Sequence, residues 1–396
     1  MKKIANLAIL LFCLLLVSCH LRNGKKAKNE DAANINVETV GITFPKSEVL
    51  NLKSYYLSVG YQEDSLCLVY GYNYKTHSLD CINLNSRGIS QIVFEEEGDN
   101  AVIKPITGVF VQARDSIWVC DNSQRALLVT GKVLKNINLR RKMTENDVVL
   151  VNTNYAMSTA GLYYDSHRRS LLYGVKNLST NPVSFRIHEV FLNDSVSEAD
   201  YPLSPSLVIP DAGNGDYANM SDVNIYFEKD RIIYNYPVES NIYILDKSTL
   251  RTKVVEADSR FTLNKAKKCL SRKDYAQWER HGIENPHFYN VMHLPDLDMY
   301  VRVHVGETDF DSTKDLSELI DGRDLYLMFF DANFSPMGEV KLPKHRYSFY
   351  TGWCAVNNGI LLYVNNSLGE DNTEECLEVD IAEISPTKLV ISGDAK

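Results

Sequence analysis

Short β-type segments recur along the chain from Ile35 onward, and this repetition constrains the fold more than any other feature of the sequence. Apolar and polar side chains alternate within the segments, turn residues separate them, and helical periodicity is almost absent. The pattern is typical of a β-sandwich, a barrel or a propeller. Three segments share an alternating apolar and aromatic run that ends in an aspartate suited to start a turn: Ile117 to Asp121, Ile242 to Asp246 and Leu325 to Asp331.

The composition and the spacing of these segments favour the propeller. The chain has 23 tyrosines, a residue enriched in strands, against 20 glycines and 12 prolines. Groups of four strands occupy roughly 50 residues, and about six such groups fit between residues 40 and 390. Two β-sandwich domains would be joined by a Pro-, Gly- or Ser-rich linker, and no such linker divides the chain. We therefore expect an all-β fold, a β-propeller with six blades of four-stranded antiparallel sheets, over residues 35–396.

The first residues form a different kind of segment. Met1-Lys2-Lys3 is positively charged, and Ile4 to Val17 is an apolar run as long as a secretory signal core and too short for a membrane span. Small residues precede Cys19 in a pattern that resembles the lipobox of bacterial lipoproteins. We expect residues 1–18 to be a lipoprotein signal peptide and Cys19 to carry the lipid. The alternatives are a buried N-terminal helix or an ordinary signal peptide with a chance cysteine.

The segment that follows Cys19 is polar and basic, so residues 19–34 are predicted to be a flexible tether between a bilayer and the folded domain. The whole chain carries a formal net charge of −9, which argues against a general affinity for nucleic acid. The expected partners are therefore a membrane, reached through the lipid on Cys19, and an envelope protein.

One basic stretch, Asn264 to His281, interrupts the strand pattern with helix-forming residues. Its apolar face is modest, and we interpret it as a short helix inserted between blades. A second interpretation is a docking surface for an acidic partner, formed by Lys267, Lys268, Arg272 and Lys273.

The strand from Tyr300 to His304 is the best candidate for ligand contact. Val301, Val303 and Val305 alternate with Tyr300, Arg302 and His304, so the polar and aromatic side chains share one face. An arginine between tyrosine and histidine could bind a carboxylate or phosphate, and a hairpin here would place His293 opposite Tyr300 and Tyr289 opposite His304. We predict ligand binding by Tyr300, Arg302, His304 and His293, with an inter-blade salt bridge or stacking contact as the alternative.

Recognisable signatures of catalysis are missing. The sequence has no Gly-x-Ser-x-Gly elbow, no His-Glu-x-x-His pair and no Walker lysine loop, and the spacing of His281, His287 and His293 matches no common metal site. We predict no catalytic residues, no metal and no cofactor. The predicted function is non-catalytic binding of a protein partner or a small envelope ligand. The alternative is a hydrolase or lyase that acts on glycans or peptides.

The lipobox at Cys19, the six degenerate strand groups and the segment from Pro286 to Arg302 together resemble the uncharacterised Bacteroidetes lipoproteins with a TolB-like six-bladed propeller. The resemblance implies a propeller fold and a place in the cell envelope, and it implies no activity. Surface-exported lipoproteins of this type carry an acidic cluster after the cysteine, whereas this chain carries basic residues there. A position facing the periplasm at the outer membrane is therefore expected over the cell surface.

Overall fold

The structure is a computed structural model that describes residues 35–45, 55, 57–141, 143–150, 161–193, 197–209, 217–269, 274–347, 352–369 and 376–386. The predicted signal peptide, Cys19 and the tether lie outside these residues. Among the described residues, no helix is long and apolar enough to cross a membrane.

The described part of the chain forms six antiparallel sheets. We number them as blades 1–6 in the order in which their innermost strands occur along the chain. Strand β1 (Ile35–Pro45) precedes blade 1 and belongs to blade 6. Blade 1 contains β2 (Ser58–Glu63), β3 (Leu66–Asn73), β4 (Ser78–Asn83) and β5 (Ile89–Val93). Blade 2 contains β6 (Ile106–Ala113), β7 (Ser116–Asp121), β8 (Arg125–Val129) and β9 (Val133–Asn138).

In blade 3, two short strands share one position. Strands β10 (Asp147–Val149) and β11 (Leu162–Asp165) both pair with β12 (Ser170–Asn177), which is followed by β13 (Ser184–Phe191) and β14 (Glu198–Pro202). Blade 4 contains β15 (Asn224–Phe227), β16 (Arg231–Asn235), β17 (Ile242–Asp246) and β18 (Thr252–Val255). Blade 5 contains β19 (His287–Leu294), β20 (Met299–Val305), β21 (Leu325–Phe330) and β22 (Pro336–Lys341).

Blade 6 closes the ring with strands from both ends of the chain. It contains β23 (Trp353–Val356), β24 (Gly359–Tyr363) and β25 (Cys376–Pro386), and β1 pairs antiparallel with β25 from Ile35 opposite Pro386 to Pro45 opposite Cys376. Pairing the first described strand with the last hides sheet edges that would otherwise stay open. The predicted six-bladed propeller is confirmed.

Packing of each blade on both neighbours explains the long apolar strands. All six residues of β21 are buried, and their side chains alternate between two cores: Leu325, Leu327 and Phe329 enter one, and Met328 and Phe330 enter the other. A strand buried on both faces contains a continuous apolar run.

The aspartates that end three of the strands start turns, as the sequence predicts. A carboxylate oxygen of Asp121 accepts a hydrogen bond from the backbone N–H of Ser123 at 3.0 Å, and Asp246 and Asp331 accept equivalent bonds two residues on. These side chains mimic a backbone turn, which fixes the start of the following strand.

The helix of the basic stretch is shorter than predicted and starts later. Helix α1 spans Tyr275–Ile283, and Asp274 caps its N-terminus by accepting a hydrogen bond from the backbone N–H of Gln277. Residue Lys265, inside the predicted helix, forms an isolated β-bridge with Glu239. A second helix, α2 (Leu316–Asp321), lies between β20 and β21 and was not predicted.

Candidate functional site

A cavity of about 390 Å³ lies where the innermost strands of the six blades meet. Its walls come from β2, β6, β11, β15, β19 and β23, one from each blade. The inner strands run parallel to one another along the channel axis. The hairpins that follow them therefore lie at the same end of the channel. The cavity is therefore the axial channel of the propeller.

Aromatic side chains form much of the wall. The ring of Tyr163 contacts two neighbours, Phe110 at 5.1 Å edge to face and Phe227 at 5.7 Å in a stacked arrangement. Aliphatic and aromatic residues from all six blades complete this apolar surface: Val59, Tyr61, Val109, Leu162, Ile225, Tyr226, Met292, Ala355 and Val356.

A few polar side chains interrupt the apolar lining. The hydroxyl of Ser58 is hydrogen-bonded to the hydroxyl of Tyr363 at 2.8 Å. The ring of His293 packs on Tyr300 at 4.8 Å, and its Nε2 lies 3.7 Å from a carboxylate oxygen of Asp298. The other polar lining residues are Gln62, Asn290 and Asn357. No Asp or Glu occurs among the described residues of the lining.

Of the four residues predicted to bind a ligand, His293 lines the cavity, and the other three lie in the packing between blades 4 and 5. Arg302 is completely buried. It donates hydrogen bonds from Nη1 to the carbonyl of Ser240 at 2.6 Å and from Nη2 to the carbonyl of Ala257 at 2.9 Å. Its guanidinium lies 4.7 Å from the ring centre of Phe288, and burial lowers the pKa of Arg302 to about 9.

His304 and Tyr300 make similar contacts within the protein. His304 stacks between Phe288 and Tyr326, its Nε2 lies 3.0 Å from an Oε1 of Glu339, and burial lowers the pKa of its imidazole. The hydroxyl of Tyr300 accepts a hydrogen bond from Arg231 at 2.5 Å and donates one to Glu228, both of blade 4. Ligand binding by these residues stays a prediction.

The predicted hairpin forms, and part of its predicted register is wrong. His293 pairs with Tyr300 as predicted, but Phe288, and not Tyr289, pairs with His304. A bulge between Phe288 and Val291 shifts the register, and a single extra residue exchanges which side chains face each other. The predicted separation of faces on β20 holds, since Val301, Val303 and Val305 share one core and Tyr300 belongs to another.

The predicted docking surface is described in part. Lys267 and Lys268 are exposed, and the backbone carbonyl of Lys267 is 2.6 Å from Nε2 of His281 on α1. Arg272 and Lys273 lie outside the described residues. A partner for this surface stays a prediction.

Sequence reasoning missed the aromatic residues of the channel. Tyr163, Tyr226 and Phe227 stand in short strands that resemble the other strands of their blades. The position of a strand within a blade, inner or outer, follows from ring closure and leaves no local signal. Grouping the strands in fours along the chain would not have identified them, because β1 belongs to blade 6 and blade 3 has a fifth strand, so neither β11 nor β15 comes first in its group.

Six blades around an aromatic-lined axial cavity define the class of this protein: a six-bladed β-propeller with an axial channel. Residues 29–341 match the model of a domain of unknown function, DUF4221, and the chain belongs to this family. The propeller fold that the resemblance implied is confirmed, and the TolB-like and lipoprotein relationships stay predictions. No curated protein matches the chain.

Two of the solved structures that match this chain come from Bacteroides species. A DUF4221 member from Bacteroides vulgatus is 15% identical, with 90% of this chain and 99% of that chain covered and a TM-score of 0.71. A protein of Bacteroides fragilis whose name suggests export is 11% identical, with 90% of this chain and 96% of that chain covered and a TM-score of 0.50. Identities this low show a common fold and nothing about function.

Proposed function

We propose that this DUF4221 propeller is a non-catalytic protein of the cell envelope whose axial channel binds a small, largely apolar ligand. The observation that carries the proposal is the cavity itself. Its volume, about 390 Å³, falls within the range of roughly 300–1,000 Å³ that is common for small-molecule sites. Its wall combines apolar and aromatic side chains with a few polar groups, the usual composition of such sites.

The lining favours binding over catalysis. His293 is the titratable imidazole of the described wall, and its nearest carboxylate, Asp298, is exposed on the following hairpin. Neither residue approaches a described serine or cysteine in an arrangement that would activate a nucleophile. The envelope location is supported by the apolar leader before Cys19, and a protein of similar fold has a name that suggests export.

The proposal is tested with a neutral fluorescent probe, N-phenyl-1-naphthylamine, whose emission rises in apolar surroundings. Ala355 lines the cavity on β23, and an Ala355→Trp variant would fill part of the channel. The matched control is Leu134→Trp, because Leu134 is 52% exposed on the outer strand β9. The full chain and the control are expected to enhance the fluorescence of the probe, and Ala355→Trp to lose most of that enhancement.

A second variant keeps the test decisive if Ala355→Trp does not unfold cooperatively. Val59→Phe adds a side chain smaller than tryptophan from β2, the inner strand that contacts β23. This variant should also weaken binding of the probe. Native mass spectrometry of the full chain and the two cavity variants adds an independent measurement. A ligand held in the channel is expected to be retained by the full chain and retained less by either variant. Equal fluorescence from all four proteins would overturn the proposal.

A further inference from the structure

The mouth of the channel is rich in carboxylates. The hairpins that follow the inner strands carry exposed acidic residues on four of the blades: Glu63 and Asp64, Asp115, Asp230, and Asp296 with Asp298. Four cationic side chains lie on the corresponding hairpins of blades 2, 3 and 4: Arg114, Arg168, Arg169 and Lys229. Arg168 is paired with Glu189 at 2.8 Å, so one of these positive charges is already compensated.

One of these carboxylates reaches over the channel. An Oδ2 of Asp296 on blade 5 accepts a hydrogen bond from Nε2 of Gln62 on blade 1 at 3.3 Å, and these two blades are separated by blade 6. Gln62 and Pro295, the residue before Asp296, both line the cavity. The carboxylate of Asp296 is therefore held at the rim, where an entering molecule passes it.

The negative field extends to the aromatic wall. Burial is the largest cause of the raised pKa of three lining tyrosines, and carboxylates add to it. Glu63 acts on Tyr61, Asp165 and Glu228 act on Tyr163, and Glu228 acts on Tyr226. Burial raises the pKa of the lining thiol of Cys67 to about 11, and Asp296 adds to this shift. Glu228 is itself paired with Arg231, so the negative charge near the wall comes mainly from Glu63, Asp165 and Asp296.

Aromatic faces and a carboxylate rim recognise the same chemical group. The negative face of a phenol or phenyl ring attracts an organic cation, and carboxylates at the entrance attract it over a longer range. The six exposed carboxylates of the rim outnumber its four cationic side chains, and the described cavity wall carries no cation, so the channel disfavours an anion. We propose that the channel selects ligands with a positively charged head, a primary amine or a quaternary ammonium, on an apolar body. The inference rests on the proposed function and names its ligand class.

Three small probes that share a benzyl group separate charge from shape: benzyltrimethylammonium, benzyl alcohol and phenylacetate. Their binding to the full chain is measured by isothermal titration calorimetry at low ionic strength. We expect the cation to bind about tenfold tighter than the alcohol and the anion to bind weakest. Added salt should reduce the advantage of the cation, because it screens the exposed carboxylates of the rim.

Two variants assign this preference to the rim and to the wall. Asp296→Asn should weaken the cation about threefold and leave the alcohol unchanged, and Tyr163→Leu should weaken the cation about fivefold while preserving an apolar wall. The matched control is Glu145→Gln, since Glu145 is exposed in the connection between β9 and β10, at the other end of the channel. This control is expected to bind all three probes as the unmodified chain does.

The outcomes separate the two proposals. Equal affinity for the cation and the alcohol, or tighter binding of phenylacetate, would refute cation selection while leaving the apolar channel site in place. A cation preference that survives Asp296→Asn and Tyr163→Leu together would place the cation elsewhere and refute the inference as well. Equal naphthylamine fluorescence from the full chain, the Leu134→Trp control and both cavity variants would instead refute the channel as a binding site.

Discussion

Acid sensitivity of the fold should depend on His287, the first residue of β19. Its side chain is buried, its ring lies 4.4 Å from that of Tyr289, and Arg323 and His281 are close enough to affect its charge. Burial, followed by these two cationic neighbours, lowers the pKa of His287 to about 3 from its usual 6.5. Replacing His287 with Phe preserves a planar ring and removes the titrating group.

The direction and size of the effect follow from proton linkage. Because the folded pKa lies below the unfolded pKa, the unfolded chain binds more protons between pH 6.5 and 3. The stability associated with His287 is therefore complete above about pH 6.5 and is lost progressively as the pH falls toward 3. Between pH 7.5 and pH 5, this single group should lower the free energy of unfolding by about 2 kcal/mol.

Urea unfolding of the full chain, followed by tryptophan fluorescence at pH 7.5 and pH 5, measures this difference. The unmodified chain should lose about 2 kcal/mol more than His287→Phe over this interval, whatever the other histidines contribute to both. His167→Asn is the matched control, because it also removes one histidine and His167 is exposed on the hairpin between β11 and β12. If His287→Phe lost as much stability as the unmodified chain, to within about 0.5 kcal/mol, the reasoning would be refuted.

Three other perturbations test separate parts of the structure. Arg302→Met leaves two buried backbone carbonyls without their donor and should lower the free energy of unfolding by about 3–5 kcal/mol in urea; a loss under about 1 kcal/mol would contradict the assigned contacts. Gly60→Ala would place a Cβ 2.0 Å from the carbonyl oxygen of Ala355 and should cost about 2–4 kcal/mol by forcing blades 1 and 6 apart; an unchanged unfolding midpoint would exclude that clash. Cys19→Ala should abolish incorporation of radiolabelled palmitate, and undiminished labelling would show that the lipid is attached elsewhere.

Local chemistry accounts for what the sequence predicted about the fold. Alternation with a period of two identified the strands, and it assigned Val301 and Arg302 to opposite faces of β20. Asp121 and its counterparts in other blades predicted the turns that follow them, because an Asx turn needs only the next few residues. These features depend on neighbours in the chain, which a sequence displays directly.

Helix boundaries and sheet register were less predictable. The start of α1 is fixed by the cap at Asp274, which the broad basic composition around it obscured. The bulge after Phe288 changed the partner of His304, although the strand itself was located correctly. In each case one residue decides an outcome that a wider pattern leaves open.

Only the tertiary structure decided which residues form the candidate site. Tyr163 and Tyr173 stand in neighbouring strands of blade 3, yet Tyr163 lines the channel and Tyr173 is buried within the blade packing. Closure of the ring decides which strand of a blade lines the channel and which is buried behind it. This position depends on strand pairing along the whole chain. Arg302 shows the same dependence, since its carbonyl partners lie 62 and 45 residues away in sequence. Strand pattern is a local property of this protein, whereas its cavity and its buried charge arise from contacts between blades.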